Sequence, residues 1–104
     1  MKMLLKTQQI LEKGYGMYGD LRKEFLFQNR KETWQEMLMQ ETLDPYLTQF
    51  QQEMQVKADR LEEQMIQTAG LTEQLKKQDV MAYMGRLNSL RSQVMEIMQQ
   101  EIRA

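Results

Sequence analysis

Six apolar residues, Leu47, Phe50, Met54, Ala58, Leu61 and Met65, follow one another at steps of three or four along an otherwise polar stretch. Steps of that size place all six on one stripe of an α-helix. The stretch is also bounded. Asp44-Pro45 reads as an N-cap followed by a proline at the first helical position, where its missing N–H costs nothing. Ala69-Gly70 supplies a glycine stop. A long helix over about 45–68 is therefore predicted, and its stripe needs a partner to bury it.

The partner follows in the sequence. Leu71 to Lys77 can form one or two capped turns, and Asp79 can cap a final helix reaching about Arg103. In that helix Val80, Leu87 and Val94 recur every seven residues with Tyr83, Leu90 and Ile97 between them, a coiled-coil-like seam. Two long helices with a short connector bury their stripes by packing antiparallel, so the expected centre of the fold is a helical hairpin of about 45–68 and 79–103. Ala82, Gly85, Ser89 and Ser92 form a second, small-residue ridge on which the N-terminal helices or a dimer mate could pack. A homodimer is the expectation, because a two-helix hairpin with short additions offers a thin core.

Upstream, Lys2 to Lys13 is predicted as a short helix on Leu4, Leu5, Thr7 and Leu11. Gly14-Tyr15-Gly16-Met17-Tyr18-Gly19 reads as a hinge or loop, since each glycine costs a helix about 1 kcal/mol relative to alanine. A helix from about Asp20 carries Leu21, Phe25 and Leu26. Asn29-Arg30-Lys31-Glu32 has capping-box spacing and restarts a helix bearing Thr33, Trp34, Met37 and Leu38. With one proline and no β-branched alternation, the chain reads as all-α and as one domain over 1–104.

The chain has no cysteine and no histidine, which removes disulfide scaffolds, thiolate or imidazole metal sites, cysteine nucleophiles and histidine bases. No enzyme, metal or cofactor is expected. No apolar run approaches the roughly 18 residues of a membrane span. Met1-Lys2-Met3-Leu4-Leu5-Lys6 is broken too early by charge to be a leader, so a cytoplasmic protein without membrane contact is expected.

The motifs have bland readings. Gly14 to Gly19 spells G-x-G-x-x-G, but no strand precedes it and no parallel β-unit follows, so the match is read as accidental. The carboxylate pairs Glu32/Glu36 and Asp59/Glu63 share helix faces without a matching set on a second helix, and read as solvated. Of the eleven methionines, Met37, Met54, Met65, Met84 and Met98 fall on or beside apolar stripes and read as core. Tyr15, Tyr18 and Trp34 near Arg22, Lys23, Arg30 and Lys31 could form a nucleic-acid surface, although packing with a solvated rim is the simpler account.

Charge is unevenly placed. Residues 1–31 carry seven basic against three acidic side chains, 32–73 nine acidic against two basic, and 74–104 five basic against three acidic. The balances are +4, −7 and +2. Gripping phosphate calls for a basic excess, whereas an acidic centre suits a basic partner surface or simply solvates a long helix.

The spacing Tyr18-Gly19-x-Leu21-Arg22-Lys23-x-Phe25-Leu26, then Leu43-x-Pro45-x-Leu47, then Gly70-Leu71-Thr72-Glu73-x-Leu75-Lys76, then Met81-Ala82-Tyr83-x-Gly85-Arg86-Leu87-Asn88-x-Leu90-Arg91, resembles the TnpV family of small proteins encoded on transposons and other mobile elements of Firmicutes. The likeness runs from Tyr18 to about Met98, with Gly85-Arg86-x-Asn88-x-x-Arg91 as its most specific part. Tyr83 stands where the family usually has Trp, and Lys31 where it often has Pro. Residues 1–17 depart from the family's N-terminus and are expected to serve something particular to this chain, leaving 18–104 as the TnpV-like part.

The resemblance implies a bacterial cytoplasmic setting and carriage on a mobile element. Two function classes fit. One is an anti-CRISPR inhibitor that binds a type II CRISPR effector nuclease, whose positively charged channel an acidic helical rod would complement. Its expected contacts are Glu53, Asp59, Glu62 and Glu63, with Arg86, Asn88 and Arg91, which could equally tie the hairpin to the N-terminal helices. The alternative is an excisionase-like transposition accessory that contacts element-end DNA or a recombinase through Arg22, Lys23, Arg30 and Lys31. The first is the leading expectation.

Overall fold

A computed structural model describes residues 2–104, with side chains from residue 4 onward. Met1 and the side chains of Lys2 and Met3, which entered the reading of the N-terminus, lie outside them. Among the described residues there are six helices and no strand, and 86% of the chain is helical. They are α1 (Lys2–Glu12), α2 (Met17–Asn29), α3 (Lys31–Met39), α4 (Leu43–Ala69), α5 (Glu73–Gln78) and α6 (Val80–Ile102). The chain divides into two compact units, residues 1–55 with 102–104, and residues 56–101.

In the first unit α3 packs against both α1 and α2. Its core joins Tyr15, Leu26, Trp34, Leu38, Leu43 and Leu47, with Ile10, Phe25, Met37 and Tyr46 packed against them. Burial of each such aliphatic side chain is worth about 1.5–3 kcal/mol. The inward residue of α1 is Ile10, while Leu4, Leu5 and Leu11, expected on its apolar face, are exposed. Polar contacts add to Ile10 in holding this short helix, with Lys6 on Glu41 and Thr7 on Trp34, so it need not bury a full stripe.

The caps of this unit differ from the sequence signals. Asn29 is the last residue of α2, its Nδ2 donating to the Phe25 carbonyl at 3.3 Å, so no capping box forms and Arg30 takes the N-cap position without a side-chain cap. Asp44 lies inside the first turn of α4 and not at its N-cap, because its carboxylate binds side chains from another part of the unit. The stop of α3 carries no glycine. Glu41 adopts φ +61°, Thr42 N–H donates to Met37 O at 3.0 Å and Glu41 N–H to Leu38 O at 3.2 Å, the paired bonds of a Schellman turn.

The second unit holds the rest of the hairpin. Lys57 pairs with Glu101 at 3.0 Å and Arg91 with Glu62 at 3.1 Å, so α4 and α6 run antiparallel there. The α4 stop is as expected: Gly70 has φ +69°, and Leu71 N–H donates to Ile66 O at 3.1 Å. Thr72 caps α5 through Leu75 N–H at 3.2 Å, and Asp79 caps α6 through Ala82 N–H at 3.1 Å.

The seam of α6 drifts from its heptad. Leu87, Leu90 and Val94 are buried as expected, but Val80 and Ile97 are exposed and Met98 takes the inward place. A straight helix turns about 20° per heptad away from a strict seven-residue repeat, so the buried position steps by four. Gly85, Ser89 and Ser92 of the second ridge are exposed, and a Cβ at Gly85 would meet nothing within 4 Å.

Candidate functional site

The glycine-rich segment is the most connected polar part of the first unit. Helix α2 begins at Met17 and not at Asp20, so Tyr18 and Gly19 lie in its first turn. Their backbone N–H groups, two of the donors every helix start leaves without a partner, donate to Gln51 Oε1 at 2.8 and 2.9 Å. Gly16 at φ +100° gives the Gln51 amide room, since a Cβ there would stand 2.5 Å from Gln51 Cδ. At Gly19 a Cβ would stand 2.7 Å from Tyr15 Cβ and 3.2 Å from Leu47 O. The G-x-G-x-x-G match is thus a close helix approach and not a nucleotide loop, as its lack of a strand predicted.

Tyr15 is the hub. Its Oη donates to Asp44 Oδ1 at 2.6 Å, Lys13 Nζ reaches the same oxygen at 2.8 Å, and Lys13 and Lys23 lie 5.3 and 5.5 Å from its ring centre. Lys23 also donates to the carbonyls of Leu11 and Lys13 at 3.0 and 2.8 Å, closing the end of α1. Burial, together with the hydrogen bond and charge of Asp44, raises the Tyr15 phenol above its ordinary value. Hydrogen bonds from Lys13 and Tyr15 hold the Asp44 carboxyl below the usual carboxylate range. Lys6, hydrogen-bonded at 2.9 Å, does the same for Glu41.

Arg22 is equally engaged. Its Nε donates to Tyr46 Oη at 3.0 Å, its Nη1 to the carbonyls of Ile102 and Ala104 at 2.8 and 3.0 Å, and its guanidinium lies 5.6 and 5.5 Å from the Phe25 and Phe50 rings. Of the four residues expected to form a basic surface, Arg22 and Lys23 therefore serve the fold, while Arg30 and Lys31 are exposed.

The acidic candidates lie along α4. Glu53, in the first unit, accepts from Gln49 Nε2 at 2.9 Å. In the second unit Asp59 and Glu63 are exposed, and Glu62 is brought together with Arg91. Arg86 and Asn88 are exposed on α6. Folding pairs part of the acidic block: Glu41, Asp44 and Glu62 each gain a cation. By unit the formal balance is eight basic against eight acidic in the first, and six against seven in the second.

No group of three or more Asp or Glu side chains converges to hold a metal among the described residues. No helix among them is long and apolar enough to cross a membrane. Two pockets stand out, one of about 340 Å³ in the second unit lined by Met65, Ala69, Arg86, Ser89 and Leu90 among others, and one of about 250 Å³ in the first.

Residues 3–102 match the family model described as transposon-encoded protein TnpV. The chain belongs to the TnpV family. The match takes in residues 3–17 as well, with nearly all of α1. No curated protein and no solved structure matches the chain. The sequence gives no sign of Gln51, whose partners are 32 and 33 residues away and leave no local pattern.

Proposed function

We propose that this protein works without catalysis, as a binding factor for the mobile element that encodes it, and that its target is a protein: a type II CRISPR effector nuclease whose guide or DNA engagement it blocks. The observation that carries the protein-binding reading is the outward face of α6. Met81, Gly85, Asn88 and Ser92 follow at steps of four, three and four, opposite the buried Leu87, Leu90 and Val94. A solvated helix face ordinarily carries charge, and these four positions carry none. Met81 is 80% exposed, with Val80 and Met84 also exposed beside it. Adaptable methionines at the surface favour protein docking, and a glycine in an exposed helix interior costs about 1 kcal/mol that no internal packing here recovers.

The family supplies the mobile-element setting, and defence nucleases are the host proteins such elements meet. The electrostatic support is narrower than the sequence suggested, because Glu62 is paired with Arg91, and it rests on the exposed Glu53 and Glu63. The transposition-accessory reading loses more, since Arg22 and Lys23 are committed to Tyr46, Ile102, Leu11 and Lys13.

The test is target-DNA cleavage by guide-programmed type II effectors, with this protein added before or after the guide RNA. Inhibition in only the first order assigns the block to guide loading, and inhibition in both assigns it to DNA engagement. No inhibition at stoichiometric excess in either order refutes the proposal.

A further inference from the structure

The pocket of about 250 Å³ in the first unit is lined by Thr7 of α1, Phe27 of α2 and Lys31, Trp34, Gln35 and Leu38 of α3. Trp34 and Leu38 are buried and give it an apolar floor, whereas Phe27 is 37% exposed. The Phe27 ring meets Trp34 edge-on, with centroids 5.1 Å apart and planes at 68°, which fixes the orientation of the aromatic wall. Thr7 and Gln35 bring hydrogen-bonding groups, Thr7 Oγ1 also accepting from Trp34 Nε1 at 3.5 Å. Lys31 is the only charged residue of the lining and forms no ion pair among the described residues. Arg30, next to it in the chain, is exposed and braced on the Phe25 ring at 5.1 Å.

We propose that this pocket binds one unpaired nucleotide of a single-stranded nucleic acid, its base stacked on Phe27 with its edge toward Gln35 and Thr7, and its phosphate held by Lys31 with Arg30. A carboxylate-bearing peptide answers the cation alone, whereas a nucleotide answers the ring, the amide and the cation together. The volume suits a single ring system, lying below the roughly 300 Å³ at which pockets for larger small molecules begin. Stacking on an aromatic side chain is sequence-tolerant and works together with cations on the backbone in single-strand sites. The site is independent of the α6 face, so either assignment stands without the other.

Trp34 is the only tryptophan of the chain and reports directly on the pocket. The full chain is titrated with 5′-phosphorylated hexathymidylate at low and raised salt while its emission is followed. A saturable change that weakens with salt is expected. Phe27→Ala and Lys31→Glu each lower the affinity by about tenfold or more, with unchanged circular dichroism. Lys77→Glu, on α5 in the other unit, leaves it unchanged. Absence of a saturable change, affinity in either pocket variant equal to that of the natural chain, or saturation by an acidic phenylalanine-bearing peptide in place of the oligonucleotide overturns the assignment.

Discussion

The side-chain oxygen of Gln51 accepts a hydrogen bond from the backbone N–H of Gly19 at 2.9 Å. A residue in the third turn of α4 thereby caps the start of α2, a task usually done by the residue preceding a helix. The capping atom reaches the amides only because Gly16 and Gly19 have no side chain in its way.

Gly19→Ala is expected to destabilise the fold by about 1–3 kcal/mol, because its Cβ would press on Tyr15 and on the Leu47 carbonyl. Gln51→Ala is expected to cost about 0.5–2 kcal/mol, in the range of a lost N-cap. Gly14→Ala, whose Cβ meets nothing within 4 Å, is the control. Urea denaturation of the three variants measures the order.

Arg22→Lys keeps the charge but loses the planar fork that spans Tyr46, Ile102 and Ala104. A loss of about 1–3 kcal/mol is expected, the range for removing a charged donor from several partners. Hydrogen exchange should show the last turn of α6 opening first.

The pH dependence has two limbs. Asp44 is depressed in the folded chain, so its contribution is present above the unfolded carboxylate value of about 3.9 and lost as pH falls through the lower folded value. Tyr15 is raised, so its contribution is complete below the unfolded phenol value of about 10 and lost as pH rises through the higher folded value. Tyr15→Phe should flatten the alkaline limb and Asp44→Asn the acid limb in thermal melts across pH.

Much of this fold is legible in the sequence, because helix stripes and local caps are local. The long helix expected over about 45–68, the Gly70 stop and the Asp79 cap follow from spacing alone, although the helix itself begins at Leu43. What the sequence hides is competition over distance. Asp44 looks like an N-cap until Tyr15 and Lys13, 29 and 31 residues away, claim its carboxylate. The acidic run around Glu62 looks like a charged surface until Arg91 folds onto it. The pocket beside Trp34 draws on three helices, and only Lys31 and Trp34 among its lining were suspected. Gly85 and Ser92 of the outward stripe of α6 also fall on the small-residue ridge that the sequence offers for packing, since one sequence does not tell which of two faces the core will use.

Gly85→Leu separates fold from function. Helix propensity gains about 1 kcal/mol with nothing for the new side chain to strike, so thermal stability should rise or hold. Any partner helix that approaches closely at Gly85 is pushed away.

The measurement that bears most directly on the central claim is DNA cleavage by a guide-programmed type II CRISPR effector, titrated with the natural chain, Met81→Glu and Gly85→Leu. The account predicts inhibition by the natural chain that falls about tenfold or more in both variants, while their melting temperatures stay at or above the natural value. Inhibition unchanged by either substitution, or absent in the natural chain, would contradict it.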